Sequence, residues 1–179
     1  MTARPAHFRH PLALLLALLA LLALPAWADD YAEVQRLHAA GQTGEALAQA
    51  DRYIGEHPRD PQMRFIKANL LSASGQPQAA EQMLEQLTRD YPELAEPWNN
   101  LAVLRAARGE LAAARAALEN ALRIQPDYAT ALENLGDVQA REALRSYQRA
   151  RTLDAGNPRL APKIEALGSL LKARAGAGG

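Results

Sequence analysis

Residues 95–126 read AEPWNNLAVLRAARGELAAARAALENALRIQP, and Gly109 divides this stretch into two halves of similar length. Ala114 follows five residues after the glycine, and Pro126 ends the stretch. Glycine relaxes the backbone at a turn. Alanine has no bulk beyond Cβ, so two helices can approach closely there, and proline ends a helix because it cannot continue the hydrogen-bond ladder. The stretch therefore predicts a hairpin of two helices joined at Gly109.

The same three residue types recur along the chain at a fixed interval of 34 residues. The glycines are Gly41, Gly75 and Gly109; the alanines are Ala46, Ala80 and Ala114; the prolines are Pro58, Pro92 and Pro126. Because the three types have different physical roles, their shared period indicates a repeated structural unit rather than a composition bias. We therefore predict an all-α fold in which helical hairpins stack one after another.

This period and these positions resemble the tetratricopeptide repeat (TPR), a helix–turn–helix of 34 residues. The unit at 95–128 carries Trp98, Leu101, Ala102, Gly109, Ala114, Leu118, Ala121 and Pro126. The unit at 61–94 has Ala68, Gly75, Ala80, Leu84, Leu87 and Pro92, with Arg64 at the tryptophan position. The unit at 27–60 has Gly41, Ala46 and Pro58, with Ala50 where the family has an aromatic residue. The resemblance implies a right-handed superhelical solenoid over 29–157, with three regular units and a shortened fourth.

The fourth unit departs from the repeat after a regular start. Its second-helix pattern arrives five residues early, and no turn glycine precedes that pattern; the residues concerned are Leu132, Leu135, Gly136, Ala143, Tyr147 and Ala150. Either two helices meet in an abnormally tight turn, or one long helix runs through the unit. We expect a kinked or nearly continuous helix across 131–152, ending near Gly156, a residue that tolerates a left-handed helix exit.

The N-terminal segment has the pattern of a bacterial secretory signal peptide. Arg4 and Arg9 precede the apolar run LALLLALLALLAL at 12–24, and Pro25 and the small-x-small sequence Ala-Trp-Ala at 26–28 follow it. We predict cleavage after Ala28 and a periplasmic location. The alternative is an inner-membrane anchor that is not cleaved, but the apolar run is shorter than the ~20 residues that usually span a bilayer. Lipid attachment is excluded because the chain has no cysteine.

The C-terminal segment predicts a capping helix and a tail. Apolar residues recur at helical spacing in 158–174, at Leu160, Ile164, Leu167 and Leu171. A terminal helix of this kind usually covers the apolar face that the last hairpin of a solenoid leaves open. We predict that the Gly- and Ala-rich residues 175–179 are disordered.

The charge of the chain is unevenly distributed although the net charge is zero. Residues 29–140 contain 10 basic and 17 acidic residues, whereas residues 141–179 contain 8 basic and 3 acidic residues. Solvated helix faces explain most such blocks. Contact of the basic end with a membrane surface or another anionic partner is the less favoured alternative. Nucleic-acid binding is disfavoured because the chain is not basic overall and is predicted to be exported.

No pattern in the sequence indicates catalysis. His38 and His57 are the histidines that remain after the predicted cleavage; neither belongs to an HExxH pair, and no cysteine is available as a nucleophile or a ligand. Phosphate-binding, dinucleotide-binding and haem-attachment motifs are absent from the sequence. We therefore predict no catalytic residue, no metal site and no cofactor, and a function that depends on binding.

The TPR resemblance implies a peptide-binding groove lined by the first helix of each unit. Carried over by position, its main candidate residues are Phe65, Asn69, Asn99, Asn100, Glu133, Asn134 and Asp137, with Tyr31 and Glu96 nearby in the pattern. Asn100 and Asn134 are equivalent residues of two units, and an amide can both donate to and accept from a peptide backbone. The alternative is that these asparagines merely lie on a solvated helix face.

The acidic candidates define the expected ligand. Family members that clamp a C-terminal carboxylate have Lys or Arg at groove positions where this chain has Glu96, Asn99 and Glu133. A neutral or basic extended segment therefore fits better than an acidic tail. The predicted function is a protein-binding adaptor or scaffold of the periplasm. The alternative is a structural subunit of an envelope assembly, of the secretion, outer-membrane or cytochrome-maturation type. The sequence leaves the partner and the oligomeric state open.

Overall fold

The computed structural model describes residues 26–177, with side chains over 30–173. This part of the chain consists of helices and turns, and it contains no strand. The first compact unit, up to Pro58, holds α1 (Ala26–Ala39) and α2 (Thr43–Glu56). The second unit, from Arg59 onward, holds α3 (Pro61–Ala73), α4 (Pro77–Asp90), α5 (Ala95–Ala107), α6 (Leu111–Ile124), α7 (Ala129–Leu153) and α8 (Leu160–Ala177). The predicted all-α repeat fold is confirmed.

Each of the three predicted turn glycines joins two helices. Gly41, Gly75 and Gly109 have φ of +77°, +77° and +81°, in the left-handed region that favours glycine. The residue after each glycine donates its backbone N–H to a carbonyl five residues back, and for Glu110 the acceptor is Arg105 at 3.0 Å. This bond is the mark of a Schellman helix end. The same local structure thus closes the first helix of every regular hairpin.

The repeated alanines and prolines occupy the positions that their chemistry predicts. Ala46, Ala80 and Ala114 are 0% exposed, so each lies in a tight contact. The prolines stand two residues after the ends of α2, α4 and α6. In the second unit, Ala114, Leu118 and Ala121 of α6 form a core with residues of α5 and α7. A neighbouring core joins α3, α4 and α5.

Arg64, which stands at the tryptophan position of its repeat, makes polar contacts instead of filling a pocket. Its Nη1 lies 2.8 Å from the carboxylate of Asp90. The guanidinium also lies over the ring of Tyr91, 5.9 Å from the ring centroid. The hydrogen bond from Arg64, with a second from Gln86, lowers the pKa of Asp90. Arg64 therefore links the start of α3 to the end of α4.

The shortened fourth unit forms one helix, α7, which runs for 25 residues from Ala129 to Leu153. The continuous helix is therefore the correct alternative of the two, and the tight turn is wrong. Helix α8 packs against α7, with Leu160 buried at 7% exposure and Lys163 Nζ over the Tyr147 ring at 4.9 Å.

The predicted terminal segments coincide only in part with the described residues. The signal-peptide residues up to 25 and the final residues 178–179 lie outside the described part, so the signal peptide stays a prediction. Helix α1 begins at Ala26, before the predicted cleavage point, and α8 covers 160–177 where the sequence predicted 158–174. Within the range that the structure describes, no helix is long and apolar enough to cross a membrane.

Candidate functional site

Four asparagines on α3, α5 and α7 form a continuous row of hydrogen-bonded amides. Asn134 Nδ2 donates to Asn99 Oδ1 at 2.9 Å, Asn99 Nδ2 donates to Asn100 Oδ1 at 3.0 Å, and Asn100 Nδ2 donates to Asn69 Oδ1 at 2.8 Å. The row therefore crosses three successive units of the repeat. All four residues were predicted as groove residues. Their bonding to one another was not predicted, because it depends on the spacing between helices.

The four amides differ in how much of each is accessible. Asn99 is 3% exposed, whereas Asn69 is exposed and Asn100 and Asn134 are half-buried. Asn99 therefore supports its neighbours from beneath, and the other three present polar atoms at the surface. Whether a ligand contacts Asn100 and Asn134 stays a prediction.

Two clefts open beside this row, one on each side of Val103. The α3–α5 cleft has a volume of about 160 Å³ and is lined by Asn69, Ser72, Leu84, Asn100, Val103 and Leu104. The α5–α7 cleft has a volume of about 240 Å³ and is lined by Ala102, Val103, Ala106, Ala107, Leu118, Asn134, Asp137, Val138 and Arg141. Val103 itself is 47% exposed. The position of Val103 in the repeat is one of those that the TPR resemblance places on the groove face.

The two clefts are copies of one feature of the repeat. Adding 34 to each residue number of the α3–α5 cleft gives a residue that lines the α5–α7 cleft, without exception. Asn100 corresponds to Asn134 at the rim, and Leu84 corresponds to Leu118 at the floor. Equivalent positions of successive repeats therefore line both clefts, although the residue types at some of these positions differ.

The acidic candidates lie on the same helices but differ in environment. Glu96 and Glu133 are exposed, and Asp137 is half-buried in the lining of the α5–α7 cleft. Burial, together with the negative charge of Glu96, raises the pKa of Tyr128. Arg141 also lines this cleft, but its Nη1 donates to the Ala106 carbonyl at 3.2 Å.

The two aromatic candidates make contacts with other side chains of the protein. Phe65 is half-buried and packs against the core formed by Ala68, Leu84, Leu87 and Leu101. Tyr31 lies in the first unit, where its ring is 5.5 Å from the ring of Tyr53. Its hydroxyl is 3.3 Å from the hydroxyl of Tyr53. A ligand contact by either residue stays a prediction.

A buried charge cluster, which sequence reasoning missed, joins α4 to α5. Glu81 is 6% exposed, and Arg105 and Arg108 both donate hydrogen bonds to its carboxylate. Hydrogen bonds from Arg108 to Glu110 and to Glu81 raise the pKa of Arg108. A buried carboxylate is tolerated when it is paired in this way. The cluster holds neighbouring hairpins together and lies apart from the asparagine row.

Among the described residues, no group of His, Cys, Asp and Glu is arranged to hold a metal ion. His38 and His57 lie on the first hairpin; His38 contacts the Thr43 hydroxyl at 3.4 Å, and the His57 ring stacks on Tyr53. Both histidines are thus accounted for by local contacts.

Comparisons with known proteins agree with this geometry. A family model described as "Tetratricopeptide repeat" matches residues 37–104, and one described as "TPR repeat" matches residues 104–141. Together they cover more than half of the 179 residues. No curated protein matches the chain in sequence.

Solved structures resemble the chain in fold. The crystal structure of MamA is 20% identical, with a TM-score of 0.58 over 78% of this chain and 86% of that chain. The Sgt2 TPR domain from Aspergillus fumigatus is 20% identical, with a TM-score of 0.61 over 75% of this chain and 86% of that domain.

The first TPR domain of Spaghetti (RPAP3), bound to the HSP90 peptide SRMEEVD, is 16% identical, with a TM-score of 0.58 over 62% of this chain and 88% of that domain. At these identities the likeness concerns the fold alone. The repeated glycine turns, the buried alanines and the two family matches lead to one conclusion: the chain belongs to the tetratricopeptide repeat family.

Proposed function

We propose that the protein is a non-enzymatic adaptor of the bacterial periplasm, which binds an extended segment of another envelope protein along α3, α5 and α7. The observation that carries this proposal is the row of asparagine amides beside the two clefts. Repeat proteins of this class commonly bind partners through an extended surface rather than a closed pocket.

The amide row suits a polypeptide backbone. An asparagine amide has two N–H donors and an oxygen with two lone pairs. Asn100 and Asn134 each donate one bond within the row, so each has a second N–H available for a ligand carbonyl. An extended segment carries unpaired backbone groups at every residue. These amides can therefore hold the segment without selecting its side chains.

The charges favour a neutral or basic segment. Asp137 lines the α5–α7 cleft, and Glu96 and Glu133 are exposed on the same set of helices. The Spaghetti domain binds the acidic peptide SRMEEVD. In this chain Arg141 is the basic residue in the lining of the α5–α7 cleft, and the three acidic residues Glu96, Glu133 and Asp137 on the groove helices disfavour a carboxylate-rich tail.

The periplasmic location rests on the N-terminal pattern of basic, apolar and small residues. N-terminal sequencing of the protein from a bacterial host is expected to begin at Asp29. Recovery of the chain from the membrane fraction with Met1 intact would support the alternative of an uncleaved anchor.

Peptide binding tests the groove directly. We expect unstructured 12-residue peptides of net charge +3 and 0 to bind in fluorescence anisotropy, and a peptide of net charge −3 to bind more weakly. Replacing Asn100 and Asn134 by Ala is expected to cost about 1–3 kcal/mol of binding free energy, since each lost bond contributes about 0.5–1.5 kcal/mol. The control is Asn120→Ala, on α6 and outside the groove helices. Unchanged binding by the double variant would place the binding surface elsewhere.

A second candidate function is that of a structural subunit in an envelope assembly. It is favoured by the C-terminal end, where Leu153 and Leu170 are 73% and 59% exposed. Apolar side chains exposed at the end of a helical repeat stack are available for contact with another protein. Sedimentation velocity at increasing protein concentration distinguishes the two functions, because self-association is expected only for the structural subunit.

A further inference from the structure

We propose that the groove selects a ligand with apolar side chains at positions i and i+3 of a polyproline II segment, one side chain in each cleft. This inference rests on the proposed function and adds the sequence pattern that the groove selects. It follows from the exact 34-residue correspondence between the linings of the α3–α5 and α5–α7 clefts.

Each cleft combines an apolar floor with an amide at the rim. Leu84 and Leu104 line the floor of the α3–α5 cleft, and Leu118 and Val138 replace them in the α5–α7 cleft. Leu84 and Leu118 are 1% and 0% exposed, so they belong to the core and present a fixed apolar surface. A side chain that enters either cleft therefore buries apolar area while the backbone beside it reaches Asn100 or Asn134.

The spacing of the clefts determines the ligand conformation. Val103 lines both clefts, so their centres lie about one helix apart. Packed helices are separated by about 8–10 Å. Three residues of polyproline II advance about 9.3 Å and return the side chain to the same face. In a β-strand, same-face side chains recur at about 6.6 Å or 13 Å, and neither distance fits.

The clefts also differ in size, and the substitutions between the two units explain why. Leu104 and Ser72 of the α3–α5 cleft correspond to the smaller Val138 and Ala106 of the α5–α7 cleft. The volume accordingly rises from about 160 Å³ to about 240 Å³. The α5–α7 cleft accepts the larger side chain of the pair, and Asp137 at its edge favours a basic neighbour in the ligand.

Two labelled peptides of identical composition test the spacing. KAPLAPLAK places its leucines three residues apart, and KAPLPLAAK places them two apart; both are rich in proline and carry the same charge. Anisotropy titrations of the full chain are expected to give a Kd about tenfold lower for KAPLAPLAK, because only that peptide buries its second leucine.

Two variants locate the effect. Val103→Glu places a charge in the lining of both clefts and is expected to abolish the preference for KAPLAPLAK. Leu132→Glu is the matched control, since Leu132 is 50% exposed on α7 and lines neither cleft. Circular dichroism of both variants confirms that helicity is retained.

The outcomes separate this inference from the proposed function. If the two peptides bind with equal affinity and the Asn100→Ala and Asn134→Ala double variant still loses binding, the i and i+3 spacing is wrong. Peptide binding in the groove is then still supported. A preference that survives Val103→Glu overturns the assignment to these clefts. Failure to bind either peptide also overturns the inference. The peptides of net charge +3, 0 and −3 then test separately whether the groove binds an extended segment.

Discussion

The α5–α6 hairpin and helix α7 both begin with the first-helix pattern of the repeat, but the chain reverses direction in the hairpin and continues as helix in α7. In the hairpin the chain reverses at Gly109, whose φ of +81° opens a Schellman turn. The residue 34 positions later is Ala143, and there the chain continues as helix to Leu153. Alanine takes a left-handed conformation only at a cost, and it is the best helix former. The fourth unit has no turn glycine and its second-helix pattern comes five residues early, and it forms one continuous helix instead of a hairpin.

Helix α7 is bonded to the hairpin beside it. Arg145 Nη1 donates to the Gly109 carbonyl at 3.0 Å, and Arg141 Nη1 donates to the Ala106 carbonyl at 3.2 Å. Glu142 lies 3.4 Å from Arg115 of α6. The last carbonyls of α5 accept hydrogen bonds from residues of the turn, each oxygen has a second lone pair, and cations near a helix C-terminus are favourable. The regular turn thus supplies acceptors that hold the irregular helix in place.

The largest effect is expected for Ala114→Leu in the hairpin. Ala114 is 0% exposed, so the added carbons overpack the contact and cost roughly 1–3 kcal/mol of folding free energy. The measurement is the thermal midpoint by circular dichroism, with exposed Ala112→Leu on the same helix as the control. An unchanged midpoint would show that Ala114 is not in a tight helix contact.

A smaller loss of folding free energy is expected for Gly109→Ala. The left-handed conformation of residue 109 costs an alanine about 1–2 kcal/mol. The new Cβ would also lie 3.0 Å from Arg145 Nη2, although that flexible side chain can move. Urea unfolding measures the loss. A variant as stable as the parent would mean that this turn does not require glycine.

Replacing a glycine by alanine in α7 is expected to increase the folding stability, whereas the replacement at Gly109 decreases it. Gly136 is exposed in the helix interior, and an added Cβ would meet nothing within 4 Å. Gly136→Ala is therefore expected to stabilise the protein by about 0.5–1 kcal/mol, because alanine loses less backbone entropy on folding. Urea unfolding in parallel with Gly109→Ala gives the comparison. Destabilisation by both substitutions would contradict the difference between the two regions.

The smallest effect is expected for Arg145→Ala, which removes the bond from α7 to the Gly109 carbonyl. The residue is exposed, so the loss is about 0.5 kcal/mol, at the low end of the range for a hydrogen bond. Arg149→Ala is the matched control: it lies one turn further along α7, and within the described structure its side chain has no hydrogen bond or ion pair. Equal midpoints for the two variants would indicate that this bond does not stabilise α7.

The candidate site was predictable residue by residue but not as an arrangement. Asn69, Asn100 and Asn134 follow from their positions in the repeat, because the same helix face recurs every 34 residues. Asn99 was predicted as a groove residue, yet it is buried beneath its neighbours and bonds to Asn100 and Asn134. The bonds between helices, from Asn134 to Asn99 and from Asn100 to Asn69, depend on the distance between helices, which no local pattern encodes.

The amino-acid sequence by itself determined the helices and the three glycine turns, and for the fourth unit it left a tight turn or one long helix. The helices and turns depend on backbone preferences of single residues, such as Gly109, and on apolar periodicity within one unit. The tertiary structure decided that the fourth unit forms one long helix. Only the tertiary structure decided that Glu81 is buried between two arginines and that two equivalent clefts flank Val103. Those features arise where separate helices meet, so they depend on side-chain packing across units rather than on any one segment.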